Sequence, residues 1–351
     1  MKRRTALFLT LALIAALIAG CAGTPVVYYS DCTCPTGSHS TVPQPTNPPA
    51  EGAVKTGLAI VTKVSDSENA ANANFDVTLV AVTVDDKGVI DSCVIDGIGT
   101  KVTFDASGSI TADLAAEIKS KNELGDSYGM VNYGGAKYEW YQQAAALAEY
   151  AEGKTISELK NGAVSESGYA PEGSDLASTA TIYLGGYVSA IEAAVNNAKH
   201  LGAQAGDELR LAAISSIADS TSAADSKDGT AQLNVDVTAL TAKDGVITSC
   251  YIDSVQAKVN FDITGTITTD LTAPVQTKNQ LGDSYGMVAW GGAKYEWYQQ
   301  AANFASYVTG KTAAQVAGIA VSEGKPADAD LSTSVTIAIG GFQALIAKAM
   351  Q

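Results

Sequence analysis

Leu58 to Val64 and Phe75 to Val84 alternate apolar with polar or small residues, the two-residue period of a half-buried strand. Asp85-Asp86-Lys87-Gly88 is a turn signal, and Val89 to Ile95 resumes the alternation, so the pattern predicts a hairpin. Two short strands are expected between Val102 and Ile110. The period then changes. Asp113 to Lys121 and Lys137 to Tyr150 read as helices, the second with Trp140, Ala144, Leu147 and Ala151 on one face and Gly153 as its stop. Thr155 opens a short helical turn around Leu159, Thr179 to Leu184 reads as a strand, and Tyr187 to Ala198 is a last helix entered through Gly185-Gly186. A hairpin first and helices later predict an α+β fold with a mostly antiparallel sheet and packed helices.

The whole pattern occurs twice. Leu124-Gly-Asp-Ser-Tyr-Gly-Met130 recurs at Leu281–Met287, Gly134-Gly-Ala-Lys-Tyr-Glu-Trp-Tyr-Gln-Gln-Ala-Ala145 at Gly291–Ala302, and Ser92-Cys93 at Ser249-Cys250, all 157 positions on. A unit of that length is a duplicated fold rather than one turn of a solenoid, whose units run to about 20–50 residues. The tandem copies span 57–203 and 208–351; the second has a longer first loop, Ser220 to Gly229, and lacks two residues before Asp330.

The first 20 residues read as an export signal: Lys2-Arg3-Arg4, then an apolar stretch from Ala6 to Ile18, shorter than the roughly 20 residues that cross a bilayer. Ile18-Ala19-Gly20-Cys21 resembles a bacterial lipobox. That resemblance implies lipidation of Cys21 and tethering to the lipid bilayer on the outer face of the bacterial membrane. Residues 21–56 are rich in Pro, Thr and Ser and read as an extended tether; Cys32-Thr33-Cys34 lies within it, with no other metal ligand nearby. The 351-residue chain carries 22 basic against 37 acidic residues, net −15, which disfavours a nucleic-acid partner. With His39 and His200 the only histidines, a His-based zinc site, a Cys-x-x-Cys-His haem site and a Ser-His-Asp triad have little to build on.

One segment before the last helix carries candidate chemistry. Asp175-Leu-Ala-Ser178-Thr179-Ala180-Thr181 in the first copy matches Asp330-Leu-Ser-Thr333-Ser334-Val335-Thr336 in the second. This resembles the flavinylation motif, Asp-x-x-Ser/Thr-Gly/Ser-Ala-Thr, of the FMN-binding domain family. That family includes flavin-carrying subunits of Na⁺-pumping NADH:quinone reductase and Rnf, and lipoproteins of extracellular electron transfer. The resemblance implies FMN esterified through its phosphate to Thr181 and Thr336 by a flavin transferase, with Asp175, Ser178, Ala180, Asp330, Thr333 and Ser334 as motif residues. It implies an electron carrier rather than a catalyst with its own substrate, working with membrane or surface redox proteins. The sequence departs from the motif where Thr179 takes the Gly/Ser place and where Val335 replaces the small Ala; a branched side chain there would crowd a backbone that hugs a phosphate. Amides at the start of the following helix, behind Gly185-Gly186 and Gly340-Gly341, would hold phosphate oxygens.

Other features admit plainer readings. Tyr128, Tyr138, Trp140 and Tyr141, with Tyr285, Tyr295, Trp297 and Tyr298, read as core aromatics, with stacking on a flavin ring as the functional alternative. Cys93 and Cys250 read as small buried hydrophobes, a bond between the copies being the alternative. A flavin-free cell-envelope binding or structural lipoprotein on the same duplicated fold stands beside the electron carrier; tether, acidic surface and duplication all suit display.

Overall fold

The structure, a computed structural model, describes residues 52–225 and 227–351. The signal segment, Cys21, Cys32, Cys34 and His39 lie outside them. Chain order is β1 (Lys55–Lys63), β2 (Asn72–Val84), β3 (Ile90–Thr103), α1 (Lys121–Leu124), α2 (Trp140–Ala151), α3 (Ile156–Ala163), α4 (Asp175–Thr179) and α5 (Gly185–Asn196). The second copy continues with β4 (Glu208–Ser216), β5 (Gly229–Lys243), β6 (Val246–Phe261), α6 (Lys278–Leu281), α7 (Trp297–Val308) and α8 (Ala313–Ala317). The small pair β7 (Val321–Ser322) and β8 (Lys325–Pro326) follows, then α9 (Ala329–Ser332) and α10 (Gly340–Ala349). The fold is α+β: each copy builds a three-stranded antiparallel meander, β1-β2-β3 or β4-β5-β6, with its helices packed on one face.

Alternation along each strand sends side chains into two different cores. In β2, Phe75, Val77, Leu79 and Ala81 enter a core shared with Leu233, Val235, Val237 and Ala239 of β5. Val80 and Val82, one residue out of step, meet Trp140, Leu147 and Ile191 of the helices. Leu240 and Ala242 do the same against Trp297, Phe304 and Ile346. The order of layers is therefore helices, sheet, sheet, helices. The strands expected to be half-buried are covered on both faces, because the second copy lies where solvent was expected.

Contacts between the copies repeat with the copies exchanged, as an approximate twofold axis requires. Ala70 N donates to Gly265 O (2.7 Å) and Ala223 N to Gly108 O (2.8 Å). Ile110 N donates to Ser222 Oγ (3.0 Å) and Ile267 N to Asn69 Oδ1 (2.8 Å). Gly108 and Gly265 have φ of 66° and 71°, and a Cβ on either would stand 2.6 or 2.5 Å from a carbonyl oxygen of the opposite copy, so the crossing needs glycine at both. Phe104 stacks on Phe261, its own counterpart, with centroids 4.0 Å apart and planes 2° from parallel.

Several expected elements differ. Asp113–Lys121 makes no helix: Asp113 closes a single turn through its own oxygens, and the helix begins only at Lys121 behind the Ser120 cap. Between Val102 and Ile110, β3 runs on to Thr103 and only an isolated Phe104–Ile110 bridge remains. Thr179–Leu184 is not a strand, for a reason that lies in the site itself.

Candidate functional site

The recurring Glu-Trp-Tyr-Gln-Gln pentad assembles the site, each polar residue with a separate task. Glu139, buried at the N-cap of α2, accepts hydrogen bonds from Met130 N (2.8 Å) and Val131 N (3.0 Å), which folds the preceding loop back onto the helix. Gln142 Oε1 accepts from Glu139 N (2.9 Å) and completes the cap. Gln143, fully buried, points the other way. Its Oε1 accepts from Thr181 N (2.7 Å), Thr181 Oγ1 (3.1 Å) and Ile182 N (3.1 Å), while its Nε2 donates to Tyr138 O (2.9 Å). The second copy repeats this: Gln300 Oε1 takes Thr336 N (2.7 Å), Thr336 Oγ1 (3.1 Å) and Ile337 N (3.2 Å). A side-chain amide thus does what a neighbouring strand would have done for the backbone after Thr179, and no strand forms there.

The hydroxyl motif is the last turn of a short helix plus its exit. Asp175 opens α4 behind the Ser174 cap, and Asp330 lies in α9 behind Asp328; both carboxylates are exposed. Ser178 Oγ returns to Asp175 O (2.7 Å) and Thr179 Oγ1 to Leu176 O (3.2 Å). Thr333 and Ser334 turn back in the same way, onto Asp330 O (2.9 Å) and Leu331 O (3.4 Å). Thr181 and Thr336 are the motif hydroxyls held by a distant side chain, and both residues are exposed. The Thr hydroxyl donates inward to the glutamine, so its free lone pairs face out. Ala180 and Val335 are buried in the helix-side cores, so the Val335 branch points away from the exposed threonine and does not crowd it.

Lysine and helix amides border the motif. Lys137 Nζ reaches Ser178 O (3.4 Å), and Lys294 Nζ reaches Thr333 O (3.4 Å). At the start of α5, the Leu184 and Gly185 amides are already taken by Gly168 O (2.8 and 3.0 Å), which leaves the next amides of the first turn without an intrahelical partner. In the second copy Ile339 N alone is taken this way, by Gly324 O (3.0 Å).

The aromatic helix offers no free tryptophan face. Trp140 and Trp297 are buried, and a lysine lies over each ring, Lys121 at 5.1 Å and Lys278 at 4.7 Å from the centroid. Trp140 Nε1 donates to Tyr187 Oη (2.9 Å), whereas Phe342 stands in that place in the second copy. Tyr141 and Tyr298 bond Asp126 and Asp283 (both 3.2 Å). Cys93 and Cys250 are free and buried in separate outer cores, so they do not face each other. Burial pushes both thiols up, Cys250 to about 12. His200 Nε2 lies 2.9 Å from Asp86, which Lys55 also pairs at 2.7 Å, a surface cluster remote in sequence from the motif.

Gln143 and Gln300 are the site residues that sequence reasoning passed over. The signal was present: a polar residue three positions after Trp140, on the face that buries Ala144 and Leu147, repeated in both copies. Compared with family models, curated proteins and solved structures, the chain shows no match.

Proposed function

We propose that this protein is a lipid-anchored extracytoplasmic electron carrier holding FMN in phosphoester linkage at Thr181, at Thr336 or at both. One observation carries the reading. In both copies the last threonine of the motif is exposed and oriented by a buried glutamine, while the other motif hydroxyls are turned back onto their own helix.

The residues fit a phosphate-linked group. Lys137 or Lys294 beside the motif would offset phosphate charge, and first-turn amides of α5 or α10 would be the donors for its oxygens. Gln143 or Gln300 keeps two backbone donors when the hydroxyl has lost its proton to an ester, so the clamp survives loading. Bound FMN supplies one- and two-electron redox chemistry, and the chain supplies its position and tether. A flavin transferase would load it, and membrane or surface redox proteins would exchange electrons with it.

Intact mass and absorbance after denaturation, on protein produced with its flavin transferase, test this. The expected result is flavin absorbance that persists through unfolding and disappears in the Thr181→Ala, Thr336→Ala double variant. Colourless protein from the native host, with no FMN mass, rejects the carrier. The second reading, a flavin-free envelope-binding module, is favoured by Tyr133 and Trp290. They occupy matching loop positions with 91% and 82% of their surface exposed.

A further inference from the structure

Beside Thr181 stands an aromatic pair that the second repeat lacks. Tyr183 follows Thr181 by two residues, and Tyr169 reaches it from the turn before α4. The rings are about half exposed, with centroids 5.6 Å apart and planes at 87°. Tyr183 is seated rather than free to swing. A Cβ on Gly185 would stand 2.8 Å from the Tyr183 hydroxyl, and one on Gly168 would collide with the ring itself. The Leu184 and Gly185 amides on Gly168 O fix the backbone beneath. In the second repeat Lys325 and Ala338 occupy these places. Only the Ala338 methyl approaches Gly324, at 3.6 Å, and nothing lies within 4 Å of a Cβ on Gly340.

We infer that Tyr169 and Tyr183 form the ring platform for the isoalloxazine of a flavin carried on Thr181, and that a flavin on the second repeat lacks this pair. The inference rests on the flavin reading above. A flat tricyclic ring gains most from an offset or edge contact with a seated aromatic, and the tryptophan of this repeat is closed off by Lys121. Thr181 lies two residues before Tyr183 and all three residues are exposed, so a ring tethered at the threonine would meet the pair at high effective concentration. The two copies are then unequal: only a flavin on Thr181 meets this tyrosine pair.

The full-length protein, produced with its flavin transferase as the single-acceptor variants Thr336→Ala and Thr181→Ala, tests this. Intact mass first reports loading of each, and flavin fluorescence per bound FMN is then read folded and unfolded. Tyrosine quenches a stacked flavin by electron donation, so the Thr181-borne flavin should be dimmer than the Thr336-borne one by about threefold or more while folded. The difference should vanish on unfolding, and Tyr183→Ala or Tyr169→Ala in the Thr336→Ala background should restore brightness. Equal brightness of two loaded, folded variants overturns the platform and leaves the flavin reading standing. If only Thr181 loads, the tyrosine substitutions decide by brightening the protein or leaving it unchanged. Loading of Thr336 alone overturns the platform, and absence of FMN from both variants overturns platform and carrier together.

Discussion

In the first repeat Lys121 Nζ lies over Trp140 and Tyr128 and pairs with Asp76 at 3.3 Å; in the second, Lys278 lies over Trp297 and Tyr285 and makes no ion pair among the described residues. Asn234 stands at the strand position of Asp76, and Phe342 at that of Tyr187. Burial works against the Lys121 charge, but Asp76, with Tyr187 and Tyr128, outweighs it and holds the amine above the ordinary lysine value. Burial dominates at Lys278, and Asp236 and Asp253 offset it only in part, so that amine is held below the usual value. What the two repeats share is the lysine stem packed on aromatic rings; what differs is whether a carboxylate rewards the charge. The packing belongs to the fold, and the ion pair is a local addition to it.

Three measurements press on this comparison. The largest effect should come where the repeats are alike. Gln143→Ala and Gln300→Ala each strand two backbone amides and should each cost about 2–5 kcal/mol in chemical denaturation. A loss in one repeat only would show that the clamp is not common to both. Next is the lysine itself. Lys121→Met should cost about 1–3 kcal/mol, since it leaves Asp76 unpaired but half exposed, whereas Lys278→Met should be neutral or stabilising by up to about 1 kcal/mol. Equal effects would show that the two lysines do not differ.

The third measurement is a pH slope. Burial raises the Asp253 carboxyl from 3.8 to about 6, against hydrogen bonds from Thr277, Asn279 N and Ser254 N. The folded state therefore binds the proton before the unfolded state does. Stability from this group rises as pH falls through about 6 and levels off below about 3.8. Asp253→Asn should flatten the melting-temperature profile across that window. Asp96 is shifted in the same direction by the same burial, and Asp96→Asn provides the matching measurement in the first repeat. An unchanged slope in Asp253→Asn would assign the pH response to other groups.

Strand periodicity and the 157-residue recurrence made the hairpins, the α+β class and the doubling readable from the chain. Which face of β2 met the other copy was not readable. Phe75, Val77 and Leu79 look like any core face, and nothing local says that a second sheet covers them. Thr179–Leu184 looked like a strand because Thr and Ile suit extended backbone. Its partner is a glutamine side chain 38 residues away, a contact that periodicity does not encode. The threonines themselves were readable as a motif, but their exposure, and the burial of Val335 beside one of them, depend on where α2 and α7 lie.

The stacked Phe104 and Phe261 rings set a residue of each half against its own twin. A change of size at one ring is met by the unchanged ring of the other half, so it is tolerated only with a compensating change there. The inner faces are thus bound to vary in concert, like the halves of a fused homodimer. The outer helical layers escape that bond: Tyr183 on one side and Ala338 on the other can specialise without disturbing the seam. Doubling a chain about a self-facing contact leaves it one shared foundation and two independently adjustable fronts.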